Sequence, residues 1–390
     1  MIWQLIFWIS AGALVHAYVV YPALLRLFGS NFRLPERAPL PEPKPMVVVC
    51  MAAYNEEKVI EHKIRSVFDT EYPKGRLAMW IGSDASTDAT DAIISRLQQE
   101  GYNITFRRFG GRNGKSAILN SMAPEIHADI LIPTDANIFF QPQTIPKLVA
   151  HFSDPSVGLV GANIINTGMR KDGISYQEET YIRRENYMKY YEGILWGTTM
   201  GAFGACYAIR RELFPEIPRN FLMEDFYITM YVIRSGKKAI CDLNAHALED
   251  VSNLVQEEYK RKVRISAGNY QNLGVYWQML LKPLSGAGFS FLSHKFLRWI
   301  GPFLMILTLV TSLLLWDKNL FFKAAFILQV AGILAPLADK LLVRMNIHTF
   351  ALRLVAYFYL MNLALLQGAF KYMRGIRSGT WSPTQRNINS

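Results

Sequence analysis

At 390 residues the chain can hold one large domain or two medium ones. Hydrophobic residues make up 51% and charged residues 19%, with the apolar excess confined to the N-terminus and to about Phe296–Phe370, which excludes a wholly soluble protein. Lys and Arg total 42 against 31 Asp and Glu, a formal net charge of +11 that suits anionic lipid or a phosphorylated substrate. No basic tract interleaved with aromatics is present, so nucleic acid is set aside as a partner. Cys50, Cys206 and Cys241 are odd in number and lack metal-ligand spacing, which argues against a disulfide framework and fits a reducing compartment.

Met1–Leu25 carries no Lys, Arg, Asp or Glu and is long enough to cross a bilayer, so residues 1–28 are expected to form a transmembrane helix. A cleaved signal peptide fits poorly, because no basic segment precedes the apolar run and no small-residue cleavage site ends it. Arg26, Arg33, Arg37 and Lys44 follow, so the positive-inside rule puts the N-terminus outside and the next domain in the cytosol. Pro35, Pro39, Pro41, Pro43 and Pro45 stiffen a linker over residues 29–45.

Residues 46–275 read as a soluble α/β domain. Met46–Met51 is a continuous apolar run of the buried parallel-strand type, and Ala53-Tyr54-Asn55-Glu56-Glu57 ends it and opens a helix to about Phe68. Leu77–Gly82 is a second strand, running into Asp84-Ala85-Ser86-Thr87-Asp88 and a helix to about Gln99. Ile104–Arg108 and Ile130–Ile132 are further strands, separated by a glycine-rich turn, Gly110–Lys115, and a short helix, Ser116–Met122. Such alternation indicates a doubly wound sheet, whose ligands sit outside the carboxyl ends of the strands. Asn55, Asp84 and Asp135 all fall at such ends. Asp135 there could hold a hard cation or merely cap a turn. Gly110–Lys115 has neither the P-loop nor the dinucleotide spacing; a Lys115 that touches phosphate and a plain solvated turn both remain open.

Beyond Asp154 the pattern loosens. Val157–Ala162 reads as a strand and Tyr176–Glu192 as a charged, aromatic helix. Gly201–Cys206 is a small-residue stretch that permits close approach of backbone to ligand. Glu224-Asp225 heads an amphipathic helix, where an acidic pair can simply complement the dipole. Gln256–Gly268 is a basic helix carrying Arg261 and Arg264, with residues 276–295 interfacial. Residues 296–372 return to the membrane: Trp299–Trp316 and Leu354–Phe370 are expected spans, and Ala324–Ala338, with Pro336 inside, is expected to be tilted or re-entrant. A basic tail, residues 373–390, follows. Three full C-terminal spans would put that tail outside, against the positive-inside rule.

The order of these motifs resembles membrane-bound family 2 glycosyltransferases, the GT-A-fold group of cellulose, hyaluronan, chitin and bacterial exopolysaccharide synthases. The resemblance covers essentially the whole chain. It implies a GT-A catalytic domain, a Rossmann-like mixed sheet, with one N-terminal and about three C-terminal transmembrane helices in an inner membrane. It assigns nucleotide binding to Ala53, Tyr54, Asn55 and Glu56, base recognition to Asp84 and diphosphate contact to Lys115; Asp88 is left to cap a helix. Asp135-Ala136-Asn137 stands for the family's Asp-x-Asp metal motif, so Mg2+ or Mn2+ is the implied cofactor, with Asp135 the principal ligand and Asn137 a neutral auxiliary. Gly201 would line the donor sugar, Asp225 of Glu224-Asp225 would be the general base, and Arg264 the diphosphate-holding residue of a Gln-x-x-Arg-Trp motif that begins at Arg261. The Trp of that motif is Ile265 here, which weakens the case for processive elongation. Ser293-His294-Lys295 and Trp381–Arg386 also resemble features of the exopolysaccharide-type members.

The implied reaction is inverting transfer from a nucleotide sugar, expected to be a UDP-sugar, to a saccharide acceptor at the membrane in polysaccharide biosynthesis, with biosynthetic-complex subunits as further expected partners. Transfer of one sugar to a lipid such as polyprenyl phosphate is the main rival, and an inactive scaffold a lesser one. A transporter has too few helices behind it.

Overall fold

The computed structural model describes residues 1–35, 40, 42–168, 175–250, 254–345, 347 and 349–380. Helix α1 (Ile2–Gly29) opens the chain. The expected alternation follows as β1 (Val47–Ala53), α2 (Ile60–Phe68), β2 (Leu77–Ser83), α3 (Thr90–Gln99), β3 (Ile104–Arg108), α4 (Lys115–Met122) and β4 (Ile130–Pro133). Then come β5 (Ile138–Phe140), α5 (Thr144–Ala150), β6 (Val157–Thr167), α6 (Ser175–Trp196), β7 (Tyr207–Arg210), α7 (Glu224–Arg234) and β8 (Lys238–Asp250). Helices α8 (Val255–Tyr276), α9 (Gly286–Trp299), α10 (Gly301–Leu314), α11 (Leu320–Arg344) and α12 (Phe350–Met373) complete the described elements.

The chain divides into two compact units, Phe28–Asn253 with Ile376–Ser390, and Met1–Leu27 with Leu254–Gly375. The boundary at Leu254 groups α8 with the apolar helices, although residues to 275 read as soluble from sequence.

In the first unit the described strands form one mixed sheet in the order β3-β2-β1-β4-β7-β6-β8-β5. β3, β2, β1 and β4 run parallel, β7 is antiparallel to β4 and β6, and β5 is antiparallel to β8. Every residue of β1 is buried, as a strand covered on both faces requires. Val47, Val49 and Met51 pack into one apolar layer with Ile60, Ile64 and Val67 of α2. Val48, Cys50 and Ala52 point the other way, toward Ile118 of α4 and Ile228 of α7. Because side chains alternate, the β1 run feeds both layers, and the loops that follow β1, β2 and β4 emerge along one edge.

Helix α6 inverts the usual pattern. Gln177, Glu178, Glu185, Asn186, Lys189 and Glu192 are buried, while Tyr176, Tyr181 and Tyr187 are exposed. Its polar face binds backbone: Asn186 Nδ2 donates to Ile164 O at 2.9 Å, and Glu192 Oε2 accepts the Met200 N–H at 2.9 Å.

In the second unit α1, α11 and α12 are long and apolar enough to cross a membrane. The expected Trp299–Trp316 span holds the 14 residues of α10, which meets the preceding α9 at 63°, as the halves of a broken span or a re-entrant loop do. Pro302 in the first turn of α10 has no N–H to continue the preceding helix, which explains the break. The segment expected to be tilted or re-entrant lies within a continuous 25-residue helix, α11, with Pro336 inside it. Ser293 and His294 are fully buried, and Ser293 Oγ lies 2.9 Å from His16 Nε2. Trp381–Arg386 lies outside the described residues.

Candidate active site

The loops after β1 and β2 are locked together by hydrogen bonds. Asn55 and Ala85 adopt left-handed backbone conformations, with φ of 52° and 59°, where Asn is at ease and Ala is not. Asn55 Oδ1 accepts the Thr87 N–H at 2.8 Å, and its own N–H donates to Ser86 Oγ at 3.2 Å. Asp88 accepts from the Thr90 N–H at 3.0 Å, the helix-capping role expected of it. Ala53 is buried and its carbonyl accepts the Asp84 N–H at 2.8 Å; the Glu56 N–H donates to Thr90 Oγ1 at 2.8 Å.

Asp84 is wholly buried and holds the glycine-rich turn. Its carboxylate accepts from the Asn113 N–H at 2.6 Å, the Gly114 N–H at 3.2 Å and Arg112 Nε at 3.1 Å. The Arg112 guanidinium lies 3.3 Å from the Tyr54 ring centroid, so Tyr54 and the turn close on each other. The turn is therefore not merely solvated. It starts α4, and Gly114 takes φ 84° against Gly379 of the returning tail, a neighbour the sequence did not announce.

Lys115, at the head of α4, is the hub. Its Nζ lies 2.7 Å from Asp135 Oδ1 and 2.7 Å from Glu224 Oε1, joining the β4 end to the start of α7. Burial pulls its pKa down, but the charges of Asp135 and Glu224 outweigh burial and hold it above the ordinary lysine value. The Asp135 side chain is 43% exposed. Asn137 is buried, and its Nδ2 points to Glu249 Oε1 of β8 at 3.4 Å. Among the described residues no three His, Cys, Asp or Glu side chains form a metal cage. The half-exposed Asp135 carboxylate, though paired with Lys115, still fits a hard cation that takes its remaining oxygens from a diphosphate and water.

Asp225 lies next to this hub. Its Oδ2 accepts the Gly204 N–H at 2.7 Å and its Oδ1 accepts its own helix's Phe226 N–H at 2.7 Å. Burial, then the neighbouring Glu224 charge, raise its pKa to about 6, against the opposing pull of Lys115. Gly201, at φ 81°, lies so close to Phe226 that a Cβ there would meet the ring. The loop before β7 is thus pressed onto α7, with the Lys189 ammonium 3.1 Å from the Phe203 ring centroid. Two buried groups here escaped the sequence reading. Burial, then Glu224 and Asp225, push the Tyr207 hydroxyl well above its ordinary pKa. Lys63 is buried beneath residues 134–138.

Asn55, Asp84, Lys115, Asp135, Glu224 and Asp225 therefore belong to one connected edge of the sheet. Arg261 and Arg264 do not join it within this unit, since both lie on α8 of the other. Arg261 pairs there with Glu258 at 3.5 Å, and Arg264 Nε is buried without a hydrogen-bond partner among the described residues.

Residues 48–217 match the model of the family described as Glycosyl transferase family 2. The beta-monoglucosyldiacylglycerol synthase of Synechocystis sp. is 28% identical over 151 residues, 37% of this chain and 32% of that protein. Its counterpart from Nostoc sp. is 32% identical over 118 residues, 30% of this chain and 25% of that protein. The matched stretch thus spans a third or less of these relatives' length. The solved mannosyltransferase PcManGT of Pyrobaculum calidifontis, in complex with GDP-Man and Mn2+, superimposes with a TM-score of 0.72 at 19% identity, covering 95% of this chain and 98% of that one. The fold is GT-A.

Proposed function

We propose that residues 48–217, a family 2 glycosyltransferase domain, work with α7 to move a sugar from a nucleotide-sugar donor to an acceptor at the membrane, with inversion. The observation that carries this reading is Lys115 bridging Asp135 and Glu224 beside the buried, pKa-raised Asp225. In it, the Asn55 and Asp84 loops receive the nucleoside and Lys115 the diphosphate. Asp84 already carries three donors, so the Arg112–Gly114 turn must shift for it to meet a base edge. Asp135, assisted at most weakly by Asn137, would hold Mg2+ or Mn2+, which when bound supplies positive charge to the leaving diphosphate. Asp225 takes the proton from the acceptor hydroxyl as its oxygen attacks the anomeric carbon. Lys115 follows the negative charge as it builds on the leaving group. The family resemblance also assigns Arg264, which lies on α8 of the other unit, to the diphosphate.

For the acceptor, a single lipid-borne hydroxyl is favoured over a growing polysaccharide. The residue after Arg264 is Ile265, where a stacking Trp would serve a sugar chain, and the relatives quoted above are named for a glycolipid product. The catalytic unit would then face the cytosol of an inner membrane, fed by soluble nucleotide sugars. A panel of labelled nucleotide sugars on the detergent-solubilised chain with membrane lipid, with and without Mn2+, tests this. One lipid-linked sugar is the expected product. A ladder of saccharides would favour the polymerase reading, and no transfer from any donor would refute both.

A further inference from the structure

Lysine is almost never fully buried without a charged partner. Lys63, on α2, is 0% exposed, and the partners of its ammonium are neutral. It donates to Thr134 Oγ1 at 3.0 Å and to the Ile138 carbonyl at 2.6 Å, with the Phe140 ring centroid 3.8 Å away. Those two acceptors bracket Asp135-Ala136-Asn137, one before and one after. A methionine could fill the same space without desolvating a charge; what it could not do is hold both ends of that tripeptide.

The tie continues beyond Lys63. Thr134 Oγ1 donates to the Ala205 carbonyl at 2.7 Å, and the Asp135 N–H reaches the same oxygen at 3.3 Å. The adjacent Gly204 N–H is the donor to Asp225. A single buried ammonium thus anchors the loop that presents Asp135, and that loop is stitched to the segment that orients Asp225.

We infer that Lys63 is a positioning residue for the cation and diphosphate site: it fixes the Thr134–Ile138 loop so that the Asp135 carboxylate is presented in one geometry. The role rests on the transferase reading above, but its structural half does not. Lys63 touches neither donor nor acceptor and acts through the loop.

The test uses the full-length chain in detergent, as wild type, K63M and K63Q. Hydrogen exchange without ligands comes first. In K63M the amides of Asp135 and Ile138 should exchange about tenfold faster, while those of β1 exchange as in wild type. Exchange at the loop unchanged in a folded K63M would overturn the inference. Binding of UDP and of GDP is then measured with and without Mn2+. K63M should weaken Mn2+-dependent nucleotide binding about tenfold and leave metal-free binding within about twofold, with K63Q, which can still reach one acceptor, in between. Equal loss with and without Mn2+ would show a general folding role and also overturn it. A wild type with no Mn2+-dependent binding of either nucleotide would refute the transferase reading instead, and the exchange result would still decide whether Lys63 sets the loop.

Discussion

At the scale of single residues, the site departs at Asn137 from the Asp-x-Asp motif of the family that it resembles. Sequence alone presents this as a lost carboxylate. The structure gives it a reason, because the Asn137 amide donates toward Glu249 Oε1, and an aspartate there would set two carboxylates face to face. Restoring the acidic motif with N137D should therefore lower transfer and weaken Mn2+-dependent nucleotide binding, whereas N137A costs less than D135A. Higher activity in N137D would show that the pair has been misread. Asn55, Asp84, Asp135 and Asp225 were legible because each ends or begins a regular element, where the pattern of apolar runs exposes it. Glu249 and Lys63 were not. Their partners are 112 and 71 residues away in sequence, and only the closed sheet brings them together.

At the scale of elements, the parallel half of the sheet could be read from sequence because buried parallel strands are unbroken apolar runs. β8 could not, since Asp242, Asn244 and His246 interrupt it; Asp242 is buried there against His151 Nε2 at 2.8 Å. Helix α6 was recognised as a helix, but its orientation follows from backbone groups that its polar face must satisfy. That face holds the loop from Gly197 to Cys206 through Glu192, Lys189 and the Thr199 hydroxyl, which donates to the Lys189 carbonyl at 2.9 Å. The loop in turn sets Asp225. A Cβ on Gly204 would lie 2.9 Å from Asp225 Oδ2, so G204A should displace the carboxylate and lower kcat about 10–100-fold while donor affinity stays within about twofold. A G204A protein with wild-type kcat would separate the loop from the base.

At the scale of the whole molecule, the crossing number is constrained by where the tail ends. Residues 376–380 belong to the same compact unit as Phe28–Asn253: Asn220 Nδ2 donates to the Arg377 carbonyl at 3.3 Å, and Gly379 packs against Asn220. If the apolar helices between Leu254 and Gly375 cross a membrane, a segment that leaves and re-enters the same unit is expected to cross it an even number of times. An even number would remove the conflict that three full C-terminal spans create with the positive-inside rule. Impermeant thiol labelling should find S378C and a cysteine placed at an exposed site on α3 reactive from the same face, and I2C from the other. Opposite-face labelling of Ser378 and α3 would break the topology. Asp225 is the residue on which the proposed reaction turns. The measurement that tests it most directly is the pH dependence of sugar transfer by wild type and D225N, alongside nucleotide binding. A buried carboxyl titrating near 6 is a base only above that value, so wild-type transfer should fall about tenfold per pH unit below about 6 and level off above it. Its folded pKa lies above the unfolded 3.8, so the native state holds the extra proton between those values and the charge costs stability above about 6. D225N should accordingly fold at least as stably as wild type at pH 7, bind nucleotide normally, and transfer about 10²–10⁴-fold more slowly. Transfer by D225N at the wild-type rate, or a wild-type profile flat through pH 6, would contradict it.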